Sequence, residues 1–390
     1  MRVAFFPHLP FHRPILEPVH DALSGRAACL VSADRSAVVA FDPHVLVLAS
    51  HAHLEHFRHR LPGAAIVNVR HGLVDKAILR RLPRRPSARW FDFVCVGAEA
   101  RLDAYERGGA SPRAYWRTGY PQVDPLFRRD PPAALPLDPG RPTVLYAPTW
   151  NLGLSSAGLL GPRLVDLIRG EAGPVNVIIK PHPVIADWRP RWMAGWARLA
   201  AGTAGVHLVR DTHADVMPYL LAADLLVSDA SSVIFEFLAL DRPIVLVSNP
   251  RRTADPAYDP DDIIWRWREI GDEVHDPADL PGAVAAGLRA PGARAAARRR
   301  CARGLYGPFT DGRNHLRVAE KILETGAALA RGERLPAAMP TAPGAPVARA
   351  WHDLRTRAWS SRGLRRLALG PLEELRLRAR ALGRRARTRG

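Results

Sequence analysis

Apolar residues in this chain gather in short runs that hold at most one polar residue each. In the first third these are Val3–Phe6, Ala28–Ser32, Val45–Ala49, Ile66–Val69 and Phe91–Val96; after residue 142 they are Thr143–Tyr146, Val175–Ile179, Val206–Val209, Asp224–Val227 and Ile244–Val247. A strand with one wet face would alternate apolar and polar positions, so runs that are nearly all apolar predict parallel sheets covered by helices on both faces. The stretches between them, such as Ser231–Leu240 and Asp279–Leu288, carry helical patterns. Separating the two series is Asp130–Pro142, DPPAALPLDPGRP, whose five prolines and lack of apolar periodicity mark an interdomain linker.

The pattern predicts an α/β chain of two Rossmann-like, doubly wound domains, residues 1–132 and 143–330, joined by a linker at 133–142. The two domains would face each other across a cleft, with the carboxyl ends of both sheets turned toward a ligand. A length of 390 residues fits two cores better than one. Residues 331–350 are rich in Pro and Ala and read as a tether. Beyond them, 351–390 interleaves Trp351, Trp359 and a leucine series with arginines, predicting a basic, partly amphipathic helical tail.

Charge changes this picture only in the tail. The chain carries a net +18, and residues 331–390, with 15 arginines against four acids, supply +11 of it, leaving +7 for 1–330. The body is therefore only mildly basic and holds no aromatic-basic recognition module for nucleic acid. Cys29, Cys95 and Cys301 are odd in number and widely spaced, which excludes a disulfide framework and favours a reducing compartment. The chain starts directly with a strand-like stretch rather than a signal-peptide pattern, and no run approaches the roughly 18 apolar residues of a membrane span. A cytoplasmic protein is expected.

Three strand ends carry the candidate chemistry. In DLLVSDASSVIFEFLALDRPIVLVSN (224–249) a buried strand leads through Asp229 to Ser231 and Ser232 at the start of a helix, where hydroxyls and helix-terminal N–H groups suit a phosphate. Glu236, in the first turns of that helix, can accept hydrogen bonds from a ribose; an ordinary N-cap by Asp229 or Ser231 is the alternative. VNVIIKPHP (175–183) delivers Lys180 and a proline-framed His182 to the cleft, as a donor to a phosphoryl oxygen or leaving group requires, the alternative being a capped turn. Lys180 is one of three lysines among 56 basic residues. IVNVRHGLVDK (66–76) ends a strand at His71, followed by a glycine that permits close approach; its ordinary pKa suits proton abstraction, although strand-end histidines are also structural.

Together these segments resemble the CDP-glycerol glycerophosphotransferase family of teichoic-acid and capsule polymer synthesis, which has the GT-B fold. VLYAPTW (144–150) is similar to the strand opening that family's second domain, and TGYPQVDPLF (118–127) to its TG-x-P-x-x-D stretch. KPHP (180–183) and SDASSVIFEFLALDRP (228–243) resemble its donor-phosphate segments, and RHG (70–72) its histidine-glycine segment. The resemblance implies a GT-B-like fold in which His71 activates the acceptor, His182 and Ser231–Ser232 hold the donor pyrophosphate, and Glu236 faces the nucleotide ribose. It implies transfer of a polyol phosphate, glycerol phosphate foremost, from a CDP-activated donor to a hydroxyl acceptor in cell-envelope polymer or glycan synthesis, releasing CMP; the resemblance leaves the acceptor's identity open, a lipid-linked one among the candidates. Leu73 and Val74 stand where the family continues with threonine and proline, and Glu236 where aspartate is common.

The remaining features weigh less. His51, His53, His56 and His59 read as a solvated helix beside the cleft rather than a metal site, so no metal and no obligatory cofactor is expected. Asp259–Asp262 reads as a surface turn, while His8 and His12 lie in the first strand-to-helix loop, where acceptor contacts are sought. The tail is expected to dock on an anionic membrane surface at the cytoplasmic face. A UDP-sugar glycosyltransferase or epimerase on the same fold stays open, as does a nucleic-acid-binding role for the tail.

Overall fold

The computed structural model describes residues 1–73, 91–98, 112–333 and 335. Twelve strands are present among the described residues, in two six-stranded sheets in which every pairing is parallel. The first comprises β1 (Arg2–Phe6), β2 (Ala28–Val31), β3 (Val45–Leu48), β4 (Ala65–Asn68), β5 (Phe93–Val96) and β6 (Ala114–Arg117), ordered 2-1-3-4-5-6. The second comprises β7 (Thr143–Tyr146), β8 (Asn176–Ile179), β9 (Val206–Leu208), β10 (Leu225–Ser228), β11 (Ile244–Val247) and β12 (Asp272–Val274), ordered 12-11-10-7-8-9. Strand order therefore reverses beside β1 and β3 in the first sheet, and between β7 and β10 in the second. At such points adjacent crossovers leave on opposite faces and open a crevice beyond the carboxyl ends of the strands.

Each sheet is buried on both faces, as the nearly all-apolar runs require. β3, β5, β7, β8, β10 and β11 are buried at every position. Successive side chains alternate faces, so Val45 and Val47 join one core cluster while Leu46 and Leu48 join the other. β6 and β12, with sequences AYWR and DEV, lie at sheet edges and carry no apolar run, which is why the hydrophobic pattern does not announce them.

One helix crosses the boundary that the sequence pattern predicts. The helix Asn314–Ala330, expected in the second domain, packs Val318, Ala319 and Ile322 into the core of the first sheet against Val3, Val45 and Cys95. An amphipathic stripe tells that one face is buried, not which sheet buries it. Residues 118–124, TGYPQVD, build the seat for this helix. Gly119 has φ +75°, a conformation that favours glycine, and a Cβ there would collide with the Asn314 side chain. The Asp124 carboxylate then accepts from the N–H of Asn314 at 3.1 Å and of His315 at 2.8 Å, capping the helix start. Both sheets lie within one compact unit. Residues 130–142 form no helix or strand, and Leu135 and Leu137 pack onto the core of the second sheet. The expected tether is described only at 331–333 and 335, and the tail at 351–390 lies outside the described residues. No helix among the described residues is long and apolar enough to cross a membrane.

Candidate active site

A cavity of about 490 Å³ lies between the carboxyl ends of the two sheets. The loop after β1 contributes Leu9 and Phe11, and the loop after β4 contributes His71. Ala147 and Pro148 follow β7, Lys180 to Val184 follow β8, His213 to Met217 follow β9, and Ser231, Ser232 and Glu236 follow β10. These residues all lie in loops at the carboxyl ends of strands, those of β1 and β4 in the first sheet and of β7, β8, β9 and β10 in the second, so the parallel topology brings His71, Lys180, His182, Ser231, Ser232 and Glu236 to one cavity.

His71 is held by a strained turn. Arg70 has φ +67°, a left-handed conformation costly for a side chain of its size, and the turn is pinned by Arg70 N–H to Asn68 Oδ1 at 2.9 Å and Arg70 Nε–H to the Gly72 carbonyl at 3.2 Å. The His71 ring meets the Ala49 carbonyl, at the end of β3, through Nδ1 at 2.8 Å. A carbonyl only accepts, so Nδ1 carries the proton and the neutral ring bears its lone pair on Nε2. A Cβ at Gly72 would stand 3.8 Å from Ser232 Oγ, so the RHG turn lies directly against the serines of the second half. Leu73, the departure from the family pattern, is fully buried in the core cluster of the second sheet.

His182 has the opposite tautomer. The Val184 N–H donates to its Nδ1 at 3.4 Å, so the neutral ring carries its proton on Nε2. Trp150 stands beside it, ring centroids 6.4 Å apart. The Lys180 ammonium donates to the Thr212 carbonyl at 2.8 Å and the Pro181 carbonyl at 3.3 Å. Burial pulls its pKa down to about 8, partly offset by Asp211 and Asp215, so it stays mostly cationic at neutral pH. Ser231 and Ser232 precede the helix Val233–Phe237, shorter than the pattern predicted because the chain tightens to 3-10 geometry at Leu238–Leu240.

The two acids differ. Asp229, expected to bind the donor, is fully buried and does not line the cavity. One oxygen accepts from the N–H groups of Thr149 at 2.8 Å and Ala230 at 2.6 Å, and the other from the N–H and hydroxyl of Ser156 at 2.7 and 2.8 Å. With both oxygens committed, Asp229 ties the loop after β7 to the loop after β10 from behind the cavity rather than lining it. Glu236 does line the cavity. Burial first, then the nearby Asp215, push its carboxyl up to about 8, and it accepts from Gln122 Nε2 at 3.0 Å. Gln122, on the turn Pro121–Val123, lines the same cavity from the first half. It follows the edge strand β6 inside the TGYPQVDPLF segment, at a variable position of the TG-x-P-x-x-D pattern, so its local sequence does not single it out.

The other histidines stand behind the site. His12 is buried, does not line the cavity and packs against His71 at a ring-centroid distance of 5.3 Å. Burial, then the neighbouring His71 and His8, pull its pKa down to about 3, so it is a neutral packing ring rather than an acceptor contact. His53 lies near His8, 5.1 Å between centroids, and no group of three or more His, Cys, Asp or Glu among the described residues is arranged to hold a metal ion. Asp262 caps the helix Ile263–Arg266 by accepting from the Ile264 N–H at 3.2 Å, so the acidic turn at 259–262 is structural.

Comparison with known proteins identifies a family and a fold. Residues 84–324 match the family model described as CDP-Glycerol:Poly(glycerophosphate) glycerophosphotransferase. The fold resembles the wall teichoic acid polymerase TagF, with a TM-score of 0.62 at 13% identity over 84% of this chain and 89% of that one. A TagF variant soaked with CDPG gives 0.63 at 14% identity, covering 85% and 90%. UDP-GlcNAc 2-epimerase from Neisseria meningitidis, bound to UDP-GlcNAc, gives 0.53 at 12% identity over 83% of this chain and 100% of that one. No curated protein sequence matches the chain. The fold is thus the two-sheet, GT-B-like α/β architecture.

Proposed function

The chain belongs to the CDP-glycerol:poly(glycerophosphate) glycerophosphotransferase family, and on that premise we propose that it moves glycerol phosphate from CDP-glycerol to a hydroxyl acceptor in cell-envelope polymer synthesis, releasing CMP. The acceptor hydroxyl gives its proton to His71 Nε2 as its oxygen bonds to the phosphorus that carries glycerol. The bond from that phosphorus to the bridging oxygen breaks, and the electron pair leaves with CMP. Phosphoryl transfer asks the protein chiefly for alignment and charge neutralisation. Lys180, the His182 Nε2–H, the hydroxyls of Ser231 and Ser232 and the N–H groups of the following turn supply that neutralisation.

The observation that carries this reading is the pair of opposite histidine tautomers in one cavity: a lone pair on Nε2 of His71 and a proton on Nε2 of His182. One suits a base and the other a donor to the departing phosphate. The acceptor is proposed to be lipid-linked, which places the enzyme at the cytoplasmic face of a membrane. The +11 carried by residues 331–390, with Trp351, Trp359 and the leucines between the arginines, is proposed to hold it there. The test is to incubate the protein with CDP-glycerol, CDP-ribitol and UDP-GlcNAc, with and without membrane extract, and to score nucleotide release. CMP release from CDP-glycerol is expected; UDP release alone would favour the sugar-transferring or epimerising reaction.

A further inference from the structure

The cavity has two kinds of polar lining. Lys180, His182, Ser231 and Ser232 bring donors to it, whereas Gln122 and Glu236 meet in a hydrogen bond of their own. Gln122 is 4% exposed, and its carbonyl oxygen Oε1 is buried without a hydrogen-bond partner, although its Nε2 donates to Glu236. A buried acceptor in that state is costly unless a bound molecule satisfies it. Glu236, also 4% exposed, is held protonated near neutral pH and therefore has a proton to donate. The pair thus offers one acceptor and one donor. A phosphate or carboxylate oxygen has no proton to give the amide carbonyl, and an ammonium cannot accept from the acid; a hydroxyl does both.

We propose that Gln122 is a specificity-determining residue that, jointly with Glu236, reads a hydroxyl of the bound donor from across the cleft. This rests on the donor reading above and adds to it the side chain from the first half that selects the ligand. Glu236 lies four residues beyond Ser232, about 6 Å along a helix, so the hydroxyl sits about that far from the phosphate-binding serines. Two parts of a CDP-polyol carry hydroxyls at such a remove: the ribose and the transferred polyol. Gln122 and Glu236 come from different halves and already meet at 3.0 Å, so a hydroxyl bound by the pair is held by both halves at once.

The test is calorimetry on Gln122→Met, which keeps the length of the side chain and removes the amide, with CDP-glycerol, CDP, 2′,3′-dideoxy-CDP and inorganic pyrophosphate. The expected result is affinity for CDP-glycerol reduced about 5- to 50-fold, with pyrophosphate binding unchanged. If CDP loses as much and dideoxy-CDP loses nothing, the hydroxyl belongs to ribose; if only CDP-glycerol loses, it belongs to the polyol. Parent-like affinity for CDP and CDP-glycerol overturns the inference, as does an equal loss with pyrophosphate, which would mark a structural effect. A parent protein that binds none of the cytidine nucleotides sinks the donor reading and this inference with it.

Discussion

Asp124 and His315, 191 residues apart, are bonded twice: the carboxylate accepts from the His315 N–H at 2.8 Å and from its ring Nδ1 at 2.7 Å. This joins the end of the TGYPQVD segment to the first turn of the last described helix, and so closes the chain back onto its first sheet. Asp124→Ala removes a buried helix cap and should destabilise the protein by about 2–3 kcal/mol, combining a lost cap with N–H groups left unpaired. Urea unfolding measures it. An unchanged midpoint would show that the helix is held by its apolar face alone.

His71 presents Nε2 from a turn fixed at Arg70 and Ala49. His71→Asn should lower turnover about 10²- to 10⁴-fold, the usual contribution of a general base, while CDP-glycerol binds nearly as before. Turnover within threefold of the parent would remove His71 from that role.

On the opposite wall, His182→Ala and Ser232→Ala should each weaken binding of CDP and CDP-glycerol by about 1–3 kcal/mol, the range for a charge-assisted hydrogen bond. Calorimetry decides, and parent-like affinity in both variants would reject the phosphate assignment.

His12 gives stability a pH dependence whose sign is fixed by its burial. Its pKa falls from 6.5 to about 3 on folding, so between those values the unfolded chain takes up a proton that the native protein refuses. Stability therefore falls as pH drops through that window, and the group contributes nothing above it. Glu236, raised to about 8, acts in the opposite direction between 4.5 and 8. That contribution is common to parent and variant and cancels in the comparison. His12→Phe keeps the ring packed on Phe11 and His71 and leaves no orphaned nitrogen, so the loss of stability between pH 7.5 and pH 5 should shrink. Equal losses in parent and variant would show that His12 does not titrate as its surroundings dictate.

Truncation after Arg334 removes most of the excess positive charge. It should abolish sedimentation with phosphatidylglycerol vesicles and spare turnover on a soluble acceptor, since polybasic segments gain about 1 kcal/mol per arginine near an anionic surface. Equal sedimentation at physiological salt would reject the membrane role. Binding to duplex DNA but not vesicles would favour the nucleic-acid alternative.

Ten of the twelve described strands were legible as apolar runs: the inner ones because burial on both faces leaves nearly their whole length apolar, and the edge strands Ala28–Val31 and Val206–Leu208 because they kept mostly apolar residues. Ala114–Arg117 and Asp272–Val274 were not, because an edge strand needs a neighbour on one side only and tolerates arginine or glutamate. The candidate site was legible where a motif ends a strand, at RHG, KPHP and DASS. It was illegible where the residue acts through the tertiary fold. Asp229 looks like a ligand-facing cap in sequence, and its ties to the loop holding Thr149 and Ser156 form only in the tertiary fold. Gln122 sits at a variable position of the TG-x-P-x-x-D pattern, and only the approach of Glu236 from the other half gives it a role.

The return of the helix Asn314–Ala330 to the first sheet also sets an order of events during synthesis. The chain leaves the ribosome amino end first, at about 5–20 residues per second, so Asp124 waits about 10–40 s for its partner His315. Through that interval Val3, Val45 and Cys95 lack part of their apolar cover. The first half of the enzyme is thus among the first segments made and among the last to be sealed, and the nascent chain must be kept from aggregating until nearly all of the catalytic body has been translated.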